Sequence, residues 1–218
     1  MMTNVRTGTA MGLVLMLPLL LTACEGPSPD KASLKYSAEL YDGCVPCHGE
    51  NGEGNQDLEA PAIAGLERWY VKAQLRKFKK SQRGWHIDDM AGKRMLPMAM
   101  ALNTDEKVDL AAAYVASLPR TNPAPTLEGG NPATGKIYFA TCVQCHGADA
   151  RGNIDEFGPP LAGASDWYLL GQLQNFKAGL RGTHADDVTG AKMRPFSMTL
   201  PTEQAMKDVI AYIGTLPE

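Results

Sequence analysis

The chain has 218 residues, 44 % of them hydrophobic, enough for one large domain or two of about 100 residues, and typical of a globular protein. A formal charge of −3 and the lack of any long Lys/Arg run exclude the cationic field with which nucleic-acid-binding proteins grip phosphate. Nucleic acid is therefore not an expected partner.

The first element in chain order is an export signal. Arg6 precedes a twelve-residue apolar run, Ala10 to Leu21, interrupted by Pro18. A spanning helix needs about 20 apolar residues, so the run suits a signal peptide over residues 1–23 better than an uncleaved anchor. Leu21-Thr22-Ala23-Cys24 resembles the bacterial lipobox, which implies cleavage before Cys24 and acylation of that residue. The alternative is an ordinary cleavage site at Ala23 with Cys24 incidental. Each acyl methylene contributes about 0.8 kcal/mol to membrane binding, so several chains would hold the protein to a membrane, on the bacterial periplasmic side, without a spanning helix. Residues 24–35, rich in Pro and Ser at their start, read as a tether.

Beyond the tether the sequence repeats itself. A shift of 98 positions superimposes the two halves without a gap, carrying Cys44, Cys47 and His48 onto Cys142, Cys145 and His146. The register holds through Gly54/Gly152, Pro61/Pro159, Trp69/Trp167, Tyr70/Tyr168, Gln74/Gln172, Arg83/Arg181, His86/His184, Met95/Met193 and Tyr114/Tyr212. Two homologous domains, 36–119 and 131–218, are predicted. The Pro-rich segment that ends in Gly129-Gly130 serves as a linker over 120–130.

Each half reads as helical. A first helix covers about Leu34 to Gly43 and Thr134 to Thr141, with an aromatic residue, Tyr41 or Phe139, three positions before the first Cys. Gly- and Pro-rich loops follow the Cys cluster. A middle helix runs from about Trp69 to Lys80, and from an N-cap at Ser165 to Ala178. The last helix is capped by Thr104 or Thr202. Its apolar stripe is Val108, Ala111, Val115 and Leu118 in one half and Met206, Val209, Ile213 and Leu216 in the other. No stretch alternates like a strand, so the fold class is all-α.

The chemistry lies in Cys44-Val-Pro-Cys47-His48 and Cys142-Val-Gln-Cys145-His146, both Cys-x-x-Cys-His, the pattern of covalent haem c attachment. Two thiols three positions apart can each add across a porphyrin vinyl group, and the next residue brings an imidazole nitrogen to the iron. A zinc ribbon would place its Cys pairs about 15 to 20 residues apart, far closer than Cys47 and Cys142 stand. A thioredoxin-like pair belongs among alternating strands and helices, which are missing. Two haem c groups account for four of the five cysteines, and Cys24 is the lipid site. The sixth iron ligand has three candidates that recur in both halves: Met95/Met193, Met100/Met198 and His86/His184. Met98 is excluded because Phe196 takes its place.

On these motifs, together with Pro61-Ala-Ile-Ala-Gly65, Pro159-Pro-Leu-Ala-Gly163 and a Met seven residues before a Leu that opens the final helix, each half resembles a class I cytochrome c. The pair resembles the di-haem cytochrome c-four type over residues 36 to 218. The resemblance implies that Met95 and Met193, each 47 residues after its haem His, are the axial ligands. It also implies that Pro61 and Pro159 offer a carbonyl to the second nitrogen of that His.

Two irons with His and Met ligands have no open position for oxygen, peroxide or nitrite, and the thioether raises the potential. The expected function is therefore electron transfer between redox proteins such as a quinol-oxidising complex and a terminal oxidase or reductase. The alternatives are a di-haem peroxidase, which needs an open iron, and a haem subunit of a membrane dehydrogenase or reductase. The Asp-Asp pairs after His86 and His184 read as solvated loop charges. Residues 31–120 carry 13 Lys/Arg against 12 Asp/Glu, and residues 121–218 carry 7 against 10. The excess sits on Lys72, Arg76, Lys77, Lys79, Lys80 and Arg83, a face that could dock an acidic partner.

Overall fold

The computed structural model describes Met1 and residues 31–217. The signal peptide, the lipid site Cys24 and tether residues 24–30 lie outside the described residues. Among those described, no helix is long and apolar enough to cross a membrane.

The fold is all-α, as expected, with ten α-helices among the described residues. The first half holds α1 (Lys31–Tyr41), α2 (Val45–His48), α3 (Arg68–Lys79), α4 (Met90–Ala101) and α5 (Asp105–Ser117). The second repeats them as α6 (Pro132–Phe139), α7 (Val143–His146), α8 (Asp166–Ala178), α9 (Val188–Met198) and α10 (Glu203–Ile213), with a 3-10 turn at Ile154–Glu156. α1 starts three residues before the predicted Leu34 and takes in the end of the tether, because Lys31 to Lys35 contains no Gly or Pro to stop a helix.

Helices α1 and α5 pack together in the first half, as α6 and α10 do in the second. Thr104 and Thr202 cap α5 and α10 as predicted, each accepting from a backbone N–H three residues on at 3.2 Å. Their buried stripes, Val108, Ala111 and Val115, and Met206, Val209 and Ile213, form the centre of each half. Tyr41 packs on Tyr114 with ring centroids 5.0 Å apart, and Phe139 on Tyr212 at 5.4 Å. The α6–α10 crossing requires glycine: a Cβ on Gly135 would lie 1.9 Å from the Asp208 carbonyl oxygen. The first half has Ser37 at that position, and it folds its hydroxyl back onto its own helix, donating to the Ser33 carbonyl at 2.7 Å.

Two features of the sequence read differently in three dimensions. No helix is expected from the sequence where α4 and α9 stand, and each of them holds a proline, Pro97 or Pro195. What starts them is the second Asp of each Asp-Asp pair. Asp89 accepts from Gly92 N at 3.0 Å and Asp187 from Gly190 N at 2.9 Å, and they are only 6 % and 1 % exposed. They are buried N-caps rather than solvated charges, while Asp88 and Asp186 remain exposed. Ser165 stands at the N-cap of α8 but makes no capping bond. Its buried hydroxyl instead accepts from Ala62 N of the first half at 3.4 Å.

The segment between the halves is pinned to the second one. Asp166 accepts from Thr126 N and Leu127 N at 2.7 Å each and from the Thr126 hydroxyl at 2.9 Å. Burial pushes the Asp166 carboxyl up, but donation from Leu127, Thr126 and Trp167 outweighs it and holds the group below its usual range. A depressed carboxylate stabilises the fold above the unfolded pKa of about 3.9, and that contribution is lost as pH falls through the lower folded value. Asp166→Ala is therefore expected to speed amide hydrogen exchange at Thr126 and Leu127 at neutral pH. It should also narrow the stability gap to the parent as pH drops below about 4, measured by thermal melts across an acid series.

Candidate functional site

The one-turn helices α2 and α7 carry the paired cysteines, with Cys44 and Cys142 as N-caps and the haem-motif histidines at the last position. His48 and His146 are buried, at 7 % and 6 % exposure. Each directs Nδ1 at a proline carbonyl, His48 to Pro61 at 2.9 Å and His146 to Pro159 at 2.8 Å. A carbonyl only accepts, so Nδ1 carries the proton and donates, which leaves the Nε2 lone pair for a metal. Burial lowers both imidazole pKa values against a smaller opposing effect of the proline carbonyls, which keeps the rings neutral and able to coordinate.

The loop that delivers each proline turns on a residue that must be glycine. Gly54 and Gly152 have φ of 84° and 89°, and a Cβ there would lie 2.4 Å from Ala62 N and 2.7 Å from Pro160 N. An isolated bridge, Asn55 to Ala60 or Asn153 to Gly158, closes the loop behind it.

Among the described residues, the four cysteines of the two motifs form no disulfide. Burial and the neighbouring Cys47 push the Cys44 thiol up to about 11, and burial likewise raises Cys142. Such thiols are not the activated thiolates of a disulfide oxidoreductase. No group of three or more metal-ligating His, Cys, Asp or Glu side chains forms among the described residues, as a zinc site would require.

A single cavity of about 850 Å3 runs through both halves, and Cys44, His48, Cys142, Cys145 and His146 line it. So do Met95 from α4 and Met193 from α9. Cys47 is exposed and lies off the lining. The rival ligands are elsewhere: Met100 and Met198 are 53 % and 58 % exposed, and neither they nor His86 and His184 border the cavity. The Nδ1 atoms of His86 and His184 accept from Asp88 N and Asp186 N at 3.2 Å each. The two rings flank Trp85, with centroids 5.6 and 6.0 Å from it.

Sequence reasoning missed the group at the junction of the halves. Arg83 and Arg181 are each 8 % exposed. Arg83 donates to Gln74 at 3.0 Å, Tyr168 at 2.8 Å and Gln172 at 3.2 Å. Arg181 donates to Gln172 at 2.6 Å and Gln74 at 3.1 Å. Each guanidinium also lies over the phenylalanine of its own half, 4.6 Å from the ring of Phe78 or Phe176. The signal was present as a repeat: Tyr70, Gln74 and Arg83 recur at 98-residue spacing.

Most of the predicted basic docking face meets acceptors within the protein, while Lys80 is exposed. Arg83 is buried, Lys72 pairs with Asp109 at 2.6 Å and Arg76 with Asp105 at 3.1 Å. Lys77 pairs with Asp187 at 2.6 Å, and Lys79 donates to the Leu102 carbonyl at 2.5 Å. These five cations meet intramolecular acceptors, which reduces the charge they offer a partner.

The residues present fit a haem. The cavity is apolar on most of its walls, with thiols at its edge, imidazole and thioether side chains on it, and two buried guanidiniums whose hydrogen-bond acceptors are all neutral, suited to porphyrin carboxylates.

Comparison with known proteins agrees with this geometry. The cytochrome c family pattern matches residues 35–119 and again 133–217. The chain is 33 % identical over 147 residues to a thiosulfate dehydrogenase electron acceptor of Thiomonas intermedia, spanning 63 % of this chain and 64 % of that relative, a little under two thirds of its length. It is 33 % identical over 186 residues to cytochrome c4 of Thiocapsa roseopersicina, covering 80 % of this chain and 88 % of the relative. The solved cytochrome c4 of Acidithiobacillus ferrooxidans superimposes with a TM-score of 0.65 at 28 % identity, over 81 % of this chain and 99 % of that one.

Joint replacement of Cys142 and Cys145 by Ser is expected to leave one covalent haem per polypeptide, by haem quantitation of denatured protein. A variant that still carries two would place the second attachment elsewhere.

Proposed function

The chain belongs to the cytochrome c family and carries two covalently bound haem c groups, and from that premise we propose that it is a lipid-anchored periplasmic electron relay. Cys44, Cys47 and His48 would hold one haem and Cys142, Cys145 and His146 the other, with Met95 and Met193 completing the coordination. Each haem supplies a reversible one-electron iron couple when bound. The observation that carries the reading is the sameness of the two sites. Both halves bring a buried, Nδ1-tethered imidazole and a methionine to the cavity wall, so the two sites share the ligand types that a catalytic haem beside a transfer haem would not.

The protein's own groups have three tasks in this role. The proline carbonyls fix the imidazole tautomer and orientation, so that ligand geometry changes little between oxidation states. The apolar walls exclude water, and the methionines close the position at which a small oxidant would bind. The Arg83–Gln74–Gln172–Arg181 group joins the two halves through neutral acceptors and keeps the sites in one continuous cavity.

The similarity to a thiosulfate dehydrogenase electron acceptor supports a periplasmic oxidoreductase as donor, with a terminal oxidase or reductase downstream. Domains at 36–119 and 131–218, a linker at 120–130 and acylation at Cys24 after removal of residues 1–23 complete the proposal.

Carbon monoxide should leave the spectrum of the reduced holoprotein unchanged, while Met95→Ala and Met193→Ala should each create one carbon monoxide-binding haem and remove half of the far-red thioether band of the oxidised form. A parent protein that binds carbon monoxide would turn the assignment toward an enzyme. Cys24→Ser is expected to move the protein from the membrane fraction to the soluble periplasmic fraction without loss of haem.

A further inference from the structure

The junction between the halves is nearly symmetric, and one ion pair breaks the symmetry. Lys77 on α3 reaches into the second half, where its Nζ lies 2.6 Å from Asp187 Oδ1 and 2.5 Å from the Thr189 hydroxyl. The repeat puts Asn175 where Lys77 stands and Asp89 where Asp187 stands, so the reciprocal contact has no cation. The pair is well shielded, with side-chain exposures of 14 % and 1 %. Arg83 and Arg181 lie near enough to oppose the Lys77 charge, which leaves Asp187 as the group that holds it.

Asp187 has a second partner. The oxygen that meets Lys77 also accepts from Gly190 N at 2.9 Å and so caps α9, and Thr189 is in the first turn of the same helix. Met193 stands one turn further on, and Lys77, Thr189 and Met193 line the same cavity. A cation of the first half therefore anchors the start of the helix that presents the thioether of the second. In the first half, the equivalent cap, Asp89, holds α4 and Met95 without a lysine from across the junction.

The geometry points to Lys77 as a positioning residue that acts across the junction, keeping Met193 on the iron of the second half, whereas Met95 has no such dependence. The inference rests on the reading of Met95 and Met193 as axial ligands. It makes the two sites unequal in ligand lability even though their ligands are the same.

The test uses the full-length holoprotein and two readouts. Proton spectra of the reduced form give one set of strongly ring-shifted methionine resonances for each His/Met haem, and cyanide binding to the oxidised form reports how readily each methionine leaves. Two methionine sets in the parent establish the ligand reading; a parent that lacks the Met193 set overturns that reading, and the role of Lys77 with it. Given two sets, Lys77→Gln is expected to shift or broaden the Met193 set alone and to speed cyanide entry at the second haem by on the order of tenfold. Lys77→Arg, which keeps the charge, should restore most of the difference. A rate of cyanide entry at the second haem that is unchanged from the parent in Lys77→Gln, or an equal change at both haems, would overturn the proposal. Should Lys77→Gln fail to fold, Asp187→Asn, which retains a capping oxygen but removes the ion pair, is expected to give the same one-sided change, and an unchanged Met193 set there would overturn it equally.

Discussion

The hydrogen bond from a buried imidazole to a proline carbonyl is the contact around which each half is built. It requires a helix of a single turn to bring the histidine inward at the end of the cysteine pair. It also requires the following loop to return with a carbonyl aimed at Nδ1. The return is why Gly54 and Gly152 take positive φ, why no Cβ fits there, and why an isolated bridge closes the loop. The long helices are placed by the same need. α5 and α10 form a floor with α1 and α6, while α3, α4, α8 and α9 stand around a cavity rather than filling it. A purely protein core would have closed that space. Here it is left for a group that brings its own apolar surface.

Much of this was legible in the sequence because it is written in period and punctuation. The 98-residue register, the two Cys-x-x-Cys-His motifs, the threonine caps and the apolar stripes of the last helices each have a local cause, and the described structure shows those caps and all of each stripe but its last residue, since Leu118 and Leu216 lie past the helix ends and are only partly buried. What escaped depends on long-range contact. Pro97 and Pro195 argue against helix on local grounds, yet α4 and α9 form because a buried Asp caps each one and the cavity wall rewards a helix that presents methionine. Ser165 has the right residue type for a cap, but its hydroxyl is taken by Ala62 of the other half. The basic run on α3 looked like a surface because helical spacing cannot say which cations turn inward, and the acids that meet them are tens of residues away.

Duplication explains both the symmetry of the junction and where it ends. Two copies of one surface placed face to face satisfy each other most simply when each carries both a donor and an acceptor, and the arginine donors and glutamine and tyrosine acceptors do so. Each arginine reaches the glutamine of its own half and that of the other. Divergence is then cheapest at the edge of such a group, where one member of a repeated pair can change without disturbing the rest. Position 77 against 175 is such a place, an ammonium on one side and an amide on the other.

The charges at the junction also bear on how the cofactors and the halves cooperate. Lys77, Arg83 and Arg181 bring three cations to it, and the nearby buried carboxylates are Asp89 and Asp187. Burying a cation without an anion costs several kcal/mol, and neutral amide acceptors recover only part of that. Asp89 lies near enough to Arg83 to favour its charge, while Asp187 holds Lys77. The acidic groups of a bound porphyrin would add anions beside the cavity that both guanidiniums line. Filling the sites and joining the halves then stabilise each other by linkage, because a group that binds the docked form favours docking by the same free energy. That coupling suits a relay in which two redox centres must keep a fixed separation while electrons pass.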